Sequence, residues 1–247
     1  MLRALRSEIV KLRRARVVLW TVLTVALVPF VVAFSIRLVG ADLGETTWES
    51  FMRLAPQMMA SWWGIMIFGL AAAYLFGREF VEGTAKNMLT LPIRRESFVV
   101  AKMAVLAIWV SGLALLAVSL EAACAAALGL PGFAWEHIWV AAGESMTIGL
   151  LIYLTLPVVA ALAMLEKGYL PPMLFSALME TASMLFAVVG WARWFPWSMP
   201  LAVAGSSMGP LIHKPEISAG SWVVDATLFV VGLAALIVYI DRADNAQ

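Results

Sequence analysis

Of 247 residues, 63% are hydrophobic and 13% charged, with a mean hydropathy of +0.91 and a net charge of +1. Soluble domains are about half apolar and a quarter charged, so this composition excludes a soluble globular domain and gives no basis for a nucleic-acid partner. The single cysteine, Cys124, lies in an apolar stretch, which excludes a disulfide framework or a Cys-rich metal site.

A helix crosses the hydrocarbon core with about 20 apolar residues. Runs of that length fall at 17–39, 57–77, 98–128, 138–165, 170–190 and 221–240. They predict an all-α, polytopic membrane protein with six transmembrane helices. Little chain is left over, so residues 1–247 read as a single transmembrane domain.

Residues 1–16 place Leu2, Leu5, Ile9 and Leu12 three and four apart among basic residues. That spacing suits an amphipathic helix in the inner interface, and a plain basic anchor fits equally well. The first run carries Pro29, is too long for a signal-peptide core and lacks a small-x-small cleavage site, so it reads as an uncleaved span. Residues 40–56, with Asp42, Glu45 and Glu49, read as a short solvated external loop.

Gly69, Ala73 and Gly77 in the second run form a ridge of small residues, as do Ser119, Ala123 and Ala127 in the third. Such ridges let helices approach closely, and both are assigned to packing within the subunit. Pro157 predicts a kink in the fourth run. Residues 191–220 are broken by Pro196, Pro200, Pro210 and Pro215, yet Leu201–Ile212 is uncharged and too short to span. This predicts a re-entrant or interfacial excursion on the outer side.

Orientation follows from charge. With both termini in the cytoplasm, Arg3, Arg6, Lys11, Arg13, Arg14, Arg16, Arg78, Lys86, Arg94, Arg95, Lys102, Lys167 and Arg242 lie inside, leaving Arg37, Arg53, Arg193 and Lys214 outside. Trp48, Trp62, Trp63, Trp135, Trp139, Trp191, Trp194, Trp197 and Trp222 then form an outer aromatic belt.

Of the acidic residues inside the runs, Glu180, Glu121 and Glu144 stand out as candidates. Glu180 is near the middle of the fifth, with Ser176 and Ser183 on its helical face. A lipid-exposed carboxylate there is costly, so Glu180 must face protein, be paired or be protonated. It is a candidate substrate-pathway or dimer-interface group, or a neutral carboxyl bonded to a neighbouring helix. Glu121 and Glu144, toward the outer ends of the third and fourth runs, would attract a cationic or amphipathic substrate or simply reach the headgroups. His137 and His213 fall in separate external segments and read as ordinary surface residues, with no metal implied.

No HExxH, GxSxG or phosphate-binding glycine loop is present, so the energy for any work must come from an ion gradient or another chain. The internal segment 79–97 stands out as charged and punctuated by glycine and proline. Glu79 to Met88 can form a short helix with a partial apolar stripe, ended by Thr90-Leu91-Pro92. An apolar stripe held in water implies a docking partner.

Glu79-Phe80, Gly83-Thr84, Lys86-Asn87, Leu89, Pro92, Arg95 and Lys102 resemble the first cytoplasmic loop of type-2 ABC exporter permeases, nearest the branch of bacitracin-resistance, lantibiotic-immunity and sodium-export permeases. Ser7-Glu8 and Lys11-Leu12 in the leading helix agree with it. The resemblance implies a coupling segment formed by Glu79, Phe80, Gly83, Thr84, Lys86, Leu89, Pro92 and Arg95, seated on a separate ATPase subunit. It further implies a homodimer of permeases with two ATPases, ATP and Mg held by those partners, and a place in the bacterial cytoplasmic membrane. The expected cargo is an amphipathic or hydrophobic compound such as a peptide antibiotic. Two rivals remain at this point: a gradient-driven carrier using Glu180, and a non-transporting immunity protein.

Overall fold

A computed structural model describes residues 8, 10–12, 15–39, 46–83, 95–204 and 218–245. The described residues are almost wholly helical, and no strand occurs among them. The long elements are α1 (Arg16–Val39), α4 (Gly64–Val81), α5 (Arg95–Leu128), α6 (Trp135–Leu165), α7 (Leu170–Val189) and α9 (Ala219–Asn245). Shorter pieces are α2 (Trp48–Met52) and α3 (Leu54–Met58), a π-turn at Met59–Trp63, and α8 (Met199–Ala204). Six stretches are long and apolar enough to cross a membrane, the second being the whole jointed rod Trp48–Val81.

The pillar of the bundle is α6, which packs against α4, α5, α7, α8 and α9. Gly77 lets α4 approach the turn before α7, since a Cβ there would stand 2.7 Å from the Gly168 carbonyl oxygen. Gly69 likewise meets Ser176 of α7. The first ridge therefore packs within the subunit, as its spacing predicts. The second does not: Ser119, Ala123 and Ala127 all face away from the bundle.

Residues 48–56 are not a solvated loop. Trp48, Phe51, Met52 and Ala55 recur at helical spacing and are buried, with Phe51 wholly enclosed. Thr47 caps this start in a reciprocal pair with Ser50. The charges that suggest a loop lie on the other face, where Arg53 and Glu49 pair at 2.7 Å. The remainder of the expected loop, 40–45, lies outside the described residues.

The tryptophan belt also divides. Trp62, Trp135, Trp139, Trp191, Trp194 and Trp222 are exposed, whereas Trp48, Trp63 and Trp197 belong to the core. After α7, two short turns at Ala192–Trp194 and Pro196–Ser198 lead into α8. Trp197, Met199 and Leu201 are buried there, and α8 rests on α6. Residues 205–217, including His213, lie outside the described residues.

Candidate coupling site at the inner ends of the helices

The last turn of α4 does not project into water. Arg78 and Glu79 are both buried, and so is Lys102, two turns into α5. Charge in an apolar interior must be paired, and here the pairing draws on three segments. Arg78 Nη2 donates to Glu8 Oε2 at 2.8 Å, and Lys102 Nζ lies 2.9 Å from Glu79 Oε2. Lys102 Nζ also stands 3.9 Å from Glu8 Oε2. Lys11, half-exposed, reaches Glu8 at 2.9 Å and Glu79 at 3.6 Å.

Among the described residues, two carboxylates thus face two buried cations, and their charge sums to zero. Lys102 is further held by donation to the Leu75 backbone carbonyl and by the rings of Phe98 and Phe76, at 4.7 and 5.4 Å. Arg78 lies over Tyr74. Leu12, buried in the main core, fastens the same N-terminal segment by apolar contact. Glu8 and Lys11 sit three apart on a helical stretch, so one face delivers both.

Burial by itself would raise the Glu8 pKa, but Lys102, Lys11 and Arg78 outweigh it and hold the carboxyl below its ordinary 4.5. A lowered folded value means that Glu8 contributes stability above the ordinary value, and that this is lost as pH falls through the lowered one. Docking of the N-terminal segment should therefore weaken below about pH 4.5 and not in the neutral range. A spin label at Val10, an exposed position, should gain mobility in that acid window in wild type and already be mobile at pH 7 in Glu8→Gln.

Of the coupling positions, Glu79, Phe80 and Gly83 are described. Glu79 is buried in the ion cluster, Phe80 packs partly on the core, and Gly83 is exposed with φ +68°. Thr84, Lys86, Leu89 and Pro92 lie outside the described residues. Arg95 begins α5, and its side chain is likewise outside them. The cluster therefore brackets residues 84–94 from both sides in the chain.

The membrane-depth candidates are distributed differently. Glu180, Ser176 and Ser183 share the inward face of α7 and are all buried. Ser176 donates to the Pro172 carbonyl, Ser183 to that of Glu180, and Ser198 to that of Ser183. The Glu180 carboxylate lies beside the backbone N–H groups of Ile65 and Met66 without closing a well-formed hydrogen bond. Glu121 is buried beside the Ala55 N–H. Glu144 instead lines an outer cavity of about 290 Å³ with Glu49, Arg53, Glu136 and His137. The two glutamates are not brought to a common site.

Sequence reasoning missed three groups. Arg78 and Lys102 look like ordinary cytoplasmic cations, although Lys102 sits inside an apolar run. Asp225, on α9, is wholly buried, with neither carboxylate oxygen hydrogen-bonded. Its signal was the same as that of Glu180: an acidic residue within a stretch long enough to span.

The chain matches the family model described as ABC-2 family transporter protein over residues 4–183, which takes in the N-terminal segment, the ion cluster and Glu180. It is 30% identical over 181 residues, 73% of this chain and 85% of the relative, to the bacitracin transport permease protein BCRB of Bacillus licheniformis. No solved structure matches it. Family coverage and six apolar helices together make this chain a member of the ABC-2 transporter family, a multi-pass permease subunit of the cell membrane.

Proposed function

We propose that this permease forms the membrane half of an ATP-driven exporter, with ATP and Mg bound by a separate ATPase. The observation that carries the reading is the neutral buried cluster of Glu8, Arg78, Glu79 and Lys102. It ties the N-terminal segment to the helices that precede and follow segment 84–94. A push on that loop would reach α1, α4 and α5 together, which is what a docking site for a power-supplying subunit requires. Two permeases, as a homodimer, and two ATPases make the assembly, and closure of the ATPases drives alternation between inward- and outward-facing states.

The cargo is an amphipathic or hydrophobic compound, with a peptide antibiotic favoured by the name of the bacitracin relative. The broad apolar surfaces of α1, α7 and α9 would let such a compound enter from the bilayer.

Co-purification with the ATPase and measurement of cargo-stimulated ATP hydrolysis test the coupling. Lys86→Ala with Leu89→Ala, outside the buried cluster, should cut stimulated hydrolysis by at least about tenfold, a change of about 1.4 kcal/mol in coupling. The chain should remain folded in the membrane. Unchanged assembly and unchanged stimulation would remove segment 79–97 as the coupling element. Protection against a peptide antibiotic that survives a catalytically dead ATPase would instead indicate sequestration without transport.

A further inference from the structure

Pro29 has no backbone N–H, so the carbonyl of Val25, four residues earlier in α1, loses its helical donor. Val25 is fully buried and cannot turn that carbonyl to bulk water. Val25 and Pro29 line a small cavity whose other walls include Ala55, Trp63 and Glu121. The volume open to the centre of a water molecule is about 10 Å³. That is about the room of a single water.

Glu121 is 2% exposed and comes from α5. Its carboxylate lies beside the Ala55 N–H in the first turn of α3, and one oxygen, Oε2, closes no hydrogen bond with the protein. Val25 and Glu121, each carrying an acceptor without a helical or side-chain donor, therefore line one space. An ionised carboxylate and a carbonyl satisfy each other only through a donor placed between them. The space admits one heavy atom, which rules out an ammonium head carrying its own carbon chain.

We propose that one water molecule occupies this cavity and donates to both the Val25 carbonyl and Glu121 Oε2. It pins the Pro29 turn of α1 to the α2–α3 joint and to α5. Among the described residues, α1 is also tied to α5 by Trp109 Nε1, which donates to Thr21 Oγ1 at 3.3 Å nearer the inner end. The hydrated joint is the outer counterpart of that bond, and it gives α1 a fixed register on α5.

The test uses the full chain in lipid nanodiscs, with infrared spectra in ordinary water and in oxygen-18 water. Wild type should show an isotope-sensitive O–H band of a sequestered water, together with a carboxyl or carboxylate band assigned by Glu121→Gln. Pro29→Ala restores an N–H for the Val25 carbonyl and should shift or remove the water band. Glu121→Leu should remove it, while Glu144→Gln at the separate outer cavity should leave it intact. A water band unchanged in both Pro29→Ala and Glu121→Leu would overturn the proposal. So would a dry site in which a protonated Glu121 donates directly to the Val25 carbonyl, seen as a carboxylic-acid band sensitive to Pro29→Ala with no oxygen-18 shift.

Discussion

Replacing Lys102 by methionine is expected to destabilise the chain by about 3–5 kcal/mol, the usual cost of breaking a buried ion pair. Lys102 is wholly enclosed and faces both Glu79 and Glu8. Its removal leaves two buried carboxylates against Arg78 and the half-exposed Lys11. The methionine stem would keep most of the packing on Phe76 and Phe98, so the loss is one of charge and not of volume. Glu79→Gln added to Lys102→Met restores neutrality in the enclosed part. The double variant should therefore be more stable than Lys102→Met alone, a non-additivity that a double-mutant cycle reads directly. Thermal unfolding in nanodiscs is the measurement. A single variant as stable as wild type would mean that the cluster is solvated and carries no force between segments.

The same cluster separates assembly from coupling. If it transmits movement, the double variant should retain ATPase binding while cargo-stimulated hydrolysis falls, because α4 and α5 are then no longer joined by charge and, of the enclosed pairs, only Arg78–Glu8 is left. A purely structural cluster would give the double variant wild-type stimulation once stability is restored.

Much of this was legible in the sequence, because lipid leaves few solutions: apolar runs of spanning length, separated by charged or proline-broken segments, fix the number of helices. The Gly69–Gly77 ridge was readable for the same reason, since small residues at helical spacing have one main use in a bundle. Failure came where a segment carries two faces. Residues 48–56 hold Glu49 and Arg53 on one side and Trp48, Phe51 and Met52 on the other, and mean hydropathy registers only their average. The outward-facing ridge of α5 shows the converse limit, because spacing reveals that a surface is smooth but not which neighbour it meets. Lys102 was hidden by a counting habit: cations near a predicted helix end are assigned to water. Its partner Glu8 is 94 residues away in the chain, and no local pattern links them.

Glu180→Leu is expected to destabilise the protein by about 1–3 kcal/mol more than Glu180→Gln, the cost of leaving a buried donor unsatisfied. The reason lies in the jointed second span. The π-turn at Met59–Trp63 carries Gly64 N–H back to the Met59 carbonyl, five residues earlier, and only glycine fits where a side chain would collide with that carbonyl. A fresh helix then starts at Gly64, and its first-turn N–H groups at Ile65 and Met66 face the Glu180 carboxylate. Glutamine keeps a side-chain carbonyl for those donors, whereas leucine offers none and leaves them in an apolar interior. Glu180 on this account is a positioning residue that steadies the upper part of α4 against α7. A gradient-driven carrier would order the variants differently. Glu180→Gln, which cannot take up or release a proton, would abolish transport in liposomes lacking ATP and an ATPase while leaving the unfolding midpoint in place. The permease reading requires that such liposomes show no transport even for wild type, and that Glu180→Gln retain most of the ATP-driven activity that Glu180→Leu loses.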